Sequence, residues 1–311
     1  MSKKTANSSE NLALKNPFEL GYTFFLKNPV NQKIVYGDIL LAIVVWTVAI
    51  SVTAIFLCIC ADLVIHGLSK LSWQFLLSEP ENAGREGGIA SILVSTLMLL
   101  IICLAVAVPL SLGTAILLAE YTSKNHWFGR WLRISLDMLA SVPSIVFGLF
   151  GNAVFCIILG MGFSILSGGL TLACMILPML IRSMEEGLRM VPDEYRLGAA
   201  SLGISRISTL INLLLPAAVP SLIAGLILGI GRASAETAAL IYTSGYVDRM
   251  PQSWLDSGRA LSLHIYDLSM NVSGGDSNAY ASALVLMMLL IVIDSLASWI
   301  GRQWLNRRLQ Y

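Results

Sequence analysis

Six stretches of this chain are apolar over lengths near that of a bilayer-spanning helix: residues 39–61, 89–118, 134–160, 168–181, 210–241 and 281–300. A hydrocarbon core of about 30 Å takes about 20 helical residues. In lipid, backbone polar groups must be satisfied inside the spanning element itself. The pattern therefore predicts an all-α membrane protein with six transmembrane helices. Only 13% of the 311 residues are charged and mean hydropathy is +0.75, whereas soluble domains carry about a quarter charged residues. The fourth run is the shortest, with Pro178 near its end.

The basic residues orient these spans. The amino tail holds Lys3, Lys4, Lys15, Lys27 and Lys33. The second-to-third connection holds Lys124, Arg130 and Arg133, the fourth-to-fifth Arg182, Arg189, Arg196 and Arg206, and the carboxyl tail Arg302, Arg307 and Arg308. These are fifteen of the twenty lysines and arginines, so both termini are expected in the cytoplasm. The expected layout is a cytoplasmic tail (1–38), a first helix (39–61), a periplasmic loop (62–88), a membrane core (89–301) and a cytoplasmic tail (302–311). The first 30 residues lack the apolar core of a secretory signal peptide, which predicts a retained amino terminus.

A net charge of +1 makes no case for a nucleic-acid partner. The five cysteines, Cys58, Cys60, Cys103, Cys156 and Cys174, fall in apolar runs without metal-ligand spacing and read as small buried hydrophobes. His66, His126 and His264 are likewise not spaced as ligands, and no nucleophile–base constellation can be argued. No metal site is expected, and a membrane-embedded enzyme is disfavoured.

Two segments need more explanation than a lipid-facing helix gives. SVPSIVFGLFG (141–151) interrupts the third run: Pro143 would free a carbonyl one turn earlier, and Gly148 and Gly151 permit close helix approach. This reads as a kinking and packing element, with lining of a pathway as the alternative. The second segment, from 194 to 240, begins polar and ends apolar. Residues 195–202 predict a short helix rich in Gly and Ala that stops at Gly203. Beyond it Arg232 and Glu236 stand four residues apart near the end of the fifth run, on one helix face. Charge within an apolar span is expensive and marks a functional candidate. Arg232 lies nineteen residues after Leu213, about 28 Å at the helical rise. That puts it near the far interface if Leu213 is at the near one, or at mid-depth if the Leu-Pro projects out. A snorkelling helix-pairing arginine is the bland alternative.

Gly203, followed after nine residues by Leu213-Leu214-Leu215-Pro216, resembles the cytoplasmic loop of ABC-importer permeases. That family pattern is Glu-Ala-Ala, three residues, Gly, nine residues, Ile-x-Leu-Pro. Here Leu197, Gly198 and Ala199 stand at the first three positions, so the glutamate is absent. GGIASILVSTLMLLIICLAVAVPLSLGTAILLAEY (87–121), SVPSIVFGLFG, GRASAETAAL (231–240) and RALSLHIYDL (259–268) are similar to the phosphate-specific importer, its PstA-type permease in particular. Asp294 departs from that family, which usually has an uncharged residue there.

The resemblance implies the type I (MetI-like) permease fold in a bacterial inner membrane. It implies a second, PstC-like permease, a PstB-like ATPase dimer and a PstS-like extracytoplasmic phosphate-binding protein as partners. It implies a coupling loop at about 190–210, with Tyr195, Gly198, Ala199, Ala200, Gly203, Leu215 and Pro216 facing the ATPase. Arg232 and Glu236 would line the phosphate path, the planar guanidinium donating two hydrogen bonds to an oxyanion. ATP and magnesium would be bound by the partner ATPase and no cofactor by this chain; no Gly-Lys dipeptide, hence no P-loop, occurs in it. Another oxyanion, the sister-subunit role and a stand-alone transporter are the alternatives.

Overall fold

The computed structural model describes the backbone of residues 32–122 and 126–309, and the side chains of 37–122 and 126–303. The tail lysines, Lys124, Arg307 and Arg308 lie outside the described side chains. The chain divides into two compact units, residues 1–61 and 62–311. Helix α1 (Gln32–Leu68) supplies the first unit. Its apolar side chains, Trp46 and Phe56 among them, are exposed all around the helix, as expected of a helix surrounded by lipid or protein.

In the second unit a short helix α2 (Trp73–Leu77) and a two-stranded hairpin, β1 (Pro80–Glu81) with β2 (Glu86–Gly87), lead into α3 (Ala90–Ile116). Next come α4 (Trp127–Ala140), α5 (Ser144–Gly151) and α6 (Ile165–Arg189). The loop helices α7 (Asp193–Ser201) and α8 (Arg206–Thr209) precede α9 (Leu215–Ala235). The chain closes through α10 (Ala238–Ile241), α11 (Leu261–Met270) and α12 (Asp276–Leu309). Wide π-type turns continue α3 (Leu117–Tyr121), α5 (Asn152–Ile158) and α8 (Leu210–Leu214). Among the described residues, five helical stretches are long and apolar enough to cross a membrane, and six if the bent α4–α5 pair is one span.

Two expectations change in detail. The third span is two helices meeting at 97°, not one kinked helix. Pro143 sits between them as the residue capping α5, since the residue before a proline is driven out of helical backbone. The fourth span is full length at 25 residues, with Pro178 inside it and buried.

The core is a sandwich of α3, α6 and α9. Gly168 and Gly169 of α6 press on Leu99 and Ile102 of α3. On α9, Ser221, Gly225, Gly229 and Ala233 recur every four residues, a small-residue seam of the kind that lets membrane helices approach closely. A Cβ at Gly187, Gly225 or Gly229 would come within 3 Å of Ser221, Ser183 or Leu180 respectively. These three contacts set α6 and α9 antiparallel with a fixed register.

Candidate functional site

Helix α7 is built to protrude while being firmly held. Pro192 precedes it, and Asp193 and Glu194 occupy its first turn, complementing the positive end of the helix dipole. It ends because Gly203 takes φ +70°, a left-handed backbone that glycine adopts without penalty. Gly203 N–H donates to Ala200 O, and Ile204 N–H donates to Ala199 O. Of the residues expected to face an ATPase, Ala199 is buried, while Tyr195, Gly198, Ala200 and Gly203 are exposed. Leu215 and Pro216 lie at the first turn of α9, with Pro216 buried. Leu197 and Leu202 are 67% and 79% exposed, forming an apolar protrusion with Met190, Ile204 and Ile207.

Arg196 anchors this helix. It donates to both Glu120 carboxylate oxygens (2.6 and 3.2 Å), to the Val191 and Leu188 carbonyls (2.8 and 3.0 Å) and to Asp193 (3.1 Å). The hydrogen-bonded Glu120 carboxylate raises its pKa above the ordinary arginine value. Beside it a cavity of about 260 Å³ is lined by Glu120, Tyr121, Arg196, Ala200 and Arg206. A second charged group lies nearby: Arg133 of α4 and Arg189 of α6 both donate to Oε1 of buried Glu185, at 2.8 and 2.9 Å. Both arginines also reach the Leu118 carbonyl in the wide turn ending α3. The sequence reading missed this network; the Glu185/Arg189 spacing of four was the only local signal.

Arg232 and Glu236 stand at the opposite end of α9 and differ from the expected pair. The helix ends at Ala235, and Glu236 has extended backbone beyond it. Arg232 Nε approaches Glu236 Oε1 only to 3.8 Å, beyond hydrogen-bond range. Arg232 is 40% exposed and Glu236 only 15%. The Glu236 carbonyl accepts from Ser262 Oγ at 2.7 Å, which fixes the backbone of the turn. The α6–α9 register gives the depth. Gly229 faces Leu180, so Arg232, three residues on, is level with Leu177, the midpoint of α6. Leu215 and Pro216 correspondingly project beyond Arg189, the end of α6.

Gly148 of α5 packs against α10, where an added Cβ would lie 2.9 Å from Ala239 Cα. Asn152 donates to Tyr242 O, so α5 and its wide turn brace the segment following Glu236. His264 lies wholly buried in the connection closing that end, near Arg259, which donates to Tyr246 O and pairs with Asp267 at 3.3 Å. Burial, then the Arg259 charge, lowers the His264 pKa to about 4. It is a structural residue. Among the described residues no His/Cys/Asp/Glu cluster could hold a metal ion.

Residues 107–309 match the family described as the binding-protein-dependent transport system inner membrane component. The chain belongs to this family. Among curated relatives it is 31% identical over 80% of its length, and 90% of the relative's, to the "Probable ABC transporter permease protein YqgI" of Bacillus subtilis. It is 35% identical over 67% of its length, and 68% of the relative's, to the "Phosphate transport system permease protein PstA" of Mycobacterium leprae. Among solved structures, a bacterial ABC transporter involved in alginate import has a chain matching 88% of this one, with 98% of that chain covered, at TM-score 0.60 and 14% identity. The fold is therefore that of the MetI-like ABC importer permeases. The chain is a multi-pass inner-membrane transport subunit of the ABC permease family, whose members carry no ATPase site of their own.

Proposed function

We propose that this chain is the PstA-type permease subunit of an ATP-driven importer of inorganic phosphate. The observation that carries this reading is Arg232 at mid-depth of α6, 40% exposed and with no hydrogen bond from its guanidinium among the described residues. A cation there is costly in lipid and belongs beside an aqueous route or an anionic cargo. Its planar fork suits an oxyanion, and Glu236 at 3.8 Å offsets the charge so that the anion is not held too long.

The α7 end is the coupling surface in this reading. Its exposed apolar face docks on the ATPase dimer in the cytoplasm, and the Arg196–Glu120 anchor passes the ATPase movement to α3 and α6. Both termini are then cytoplasmic, and the 62–88 and 242–275 connections face the binding protein outside. A second, PstC-like permease completes the path. ATP and magnesium stay with the ATPase.

The test is purification of the chain from its native membrane followed by reconstitution. Co-recovery of an ATPase and a second permease, with ATP-dependent uptake of labelled phosphate competed by arsenate but not by sulfate, is the expected result. Uptake competed equally by sulfate or molybdate replaces phosphate with another oxyanion. Recovery of the chain alone with activity removes the ABC-partner assignment.

A further inference from the structure

The Arg182–Asp137 pair has no part in the reading above. Arg182, on α6, donates both arms of its guanidinium to Asp137 of α4, at 2.9 and 2.7 Å. Bidentate geometry of this kind is strong and directional. Yet the two side chains are 35% and 54% exposed, and Arg182 lies within a stretch long and apolar enough to cross a membrane. An exposed ion pair at such depth is incompatible with surrounding hydrocarbon. This flank of the bundle must face water or protein.

The register places the pair on the flank that carries Arg232. On α6, Met184 accepts from Ser111 of α3, and at about 100° per residue Arg182 points roughly 160° away from it. Helix α3 thus covers one flank of the α6–α9 seam, and Arg182 lies on the other, where α4 meets α6. On α9 the exposed positions Ala217, Ala224, Leu228 and Arg232 recur at helical spacing and form one stripe beside the same seam. Along the axis, Arg182 is two residues past Leu180 toward α7, and Arg232 is three residues past the facing Gly229 in the other direction. At the helical rise the two guanidiniums are rooted about 7–8 Å apart in depth.

We propose that Arg182 is a second oxyanion station, lying between Arg232 and the α7 end, and that Asp137 is the competing carboxylate that displaces the anion from it. The proposal rests on the phosphate-import reading. With the site empty, Asp137 occupies both donors. An arriving phosphate takes the same two donors, and Asp137 returns as the anion leaves. The station thereby retains its cargo less tightly than a free arginine, as a transport site requires.

The test uses the assembled importer in proteoliposomes and uptake of labelled inorganic phosphate, with Arg232→Gln measured in parallel. Arg182→Gln is expected to lower the maximal rate about tenfold, while Asp137→Asn lowers both KM and maximal rate several-fold because the anion is retained. The double variant Asp137→Asn/Arg182→Gln keeps a neutral hydrogen bond between α4 and α6 and is expected to stay as slow as Arg182→Gln. Recovery of wild-type uptake by the double variant, or an unchanged KM in Asp137→Asn, reduces the pair to a helix tether and overturns the proposal. Loss of uptake in Arg232→Gln with normal uptake in Arg182→Gln removes the second station alone. Normal uptake in both removes the phosphate-path reading itself.

Discussion

The two arginines at either end of the α7–α9 segment are held in opposite ways. Arg196 makes five hydrogen bonds within 3.2 Å, to Glu120, Asp193 and two carbonyls. Among the described residues Arg232 has a single ionic neighbour, at 3.8 Å, and its side chain is 40% exposed. A saturated arginine has no donors to give and acts as a fixed strut. An arginine with free donors is available to a ligand. The contrast supports the proposed division, with transmission at one end and cargo handling at the other.

The largest expected effect comes from breaking the strut. Arg196→Ala leaves Glu120 without its partner in a part-buried setting, a loss of about 3 kcal/mol. Loss of ATPase co-purification together with a lowered unfolding midpoint checks it; an importer that assembles and couples normally removes the strut role. Gly225→Leu comes next. It forces bulk into the α6–α9 seam against Ser183, so the register that sets the depth of Arg232 shifts, at a cost of roughly 1–3 kcal/mol. Uptake and stability should fall together. Gly203→Ala is milder. Nothing lies within 4 Å of an added Cβ there, so the penalty is the left-handed backbone alone, about 1 kcal/mol. It should weaken ATPase association without unfolding the bundle, as seen by pull-down beside a thermal melt.

The pH response should separate the ends as well. His264 is neutral in the fold, with its pKa lowered to about 4, against an unfolded value of about 6.5. The unfolded chain therefore binds the proton more readily. The His264 contribution is complete above pH 6.5 and is lost as pH falls from there through about 4, by roughly 3 kcal/mol in total. This loss should appear in acid unfolding of the wild type and be missing from His264→Asn.

Much of this was legible from residue order alone. The helical spans, the stop at Gly203 and the apolar-run arginine follow from periodicity, glycine chemistry and the cost of charge in lipid. The 97° break at Pro143 was not, because a proline signals a boundary without giving the angle between the helices it separates. Nor was the end of α9 at Ala235, which makes the Arg232–Glu236 contact longer than a helical pair would be. Arg133, Arg196 and Arg182 stand 52, 76 and 45 residues from Glu185, Glu120 and Asp137, so local spacing announces the Glu185–Arg189 contact but none of these three. The depth of Arg232 needed the α6–α9 register, which lies in three glycine contacts rather than in either helix by itself.

The central claim is that Arg232 meets the anion. Its most direct test is phosphate uptake by the reconstituted importer carrying Arg232→Ala, with subunit composition and ATP hydrolysis measured on the same preparation. The account predicts an intact complex that still hydrolyses ATP but moves phosphate at least about tenfold more slowly. An intact complex moving phosphate at the wild-type rate would contradict it.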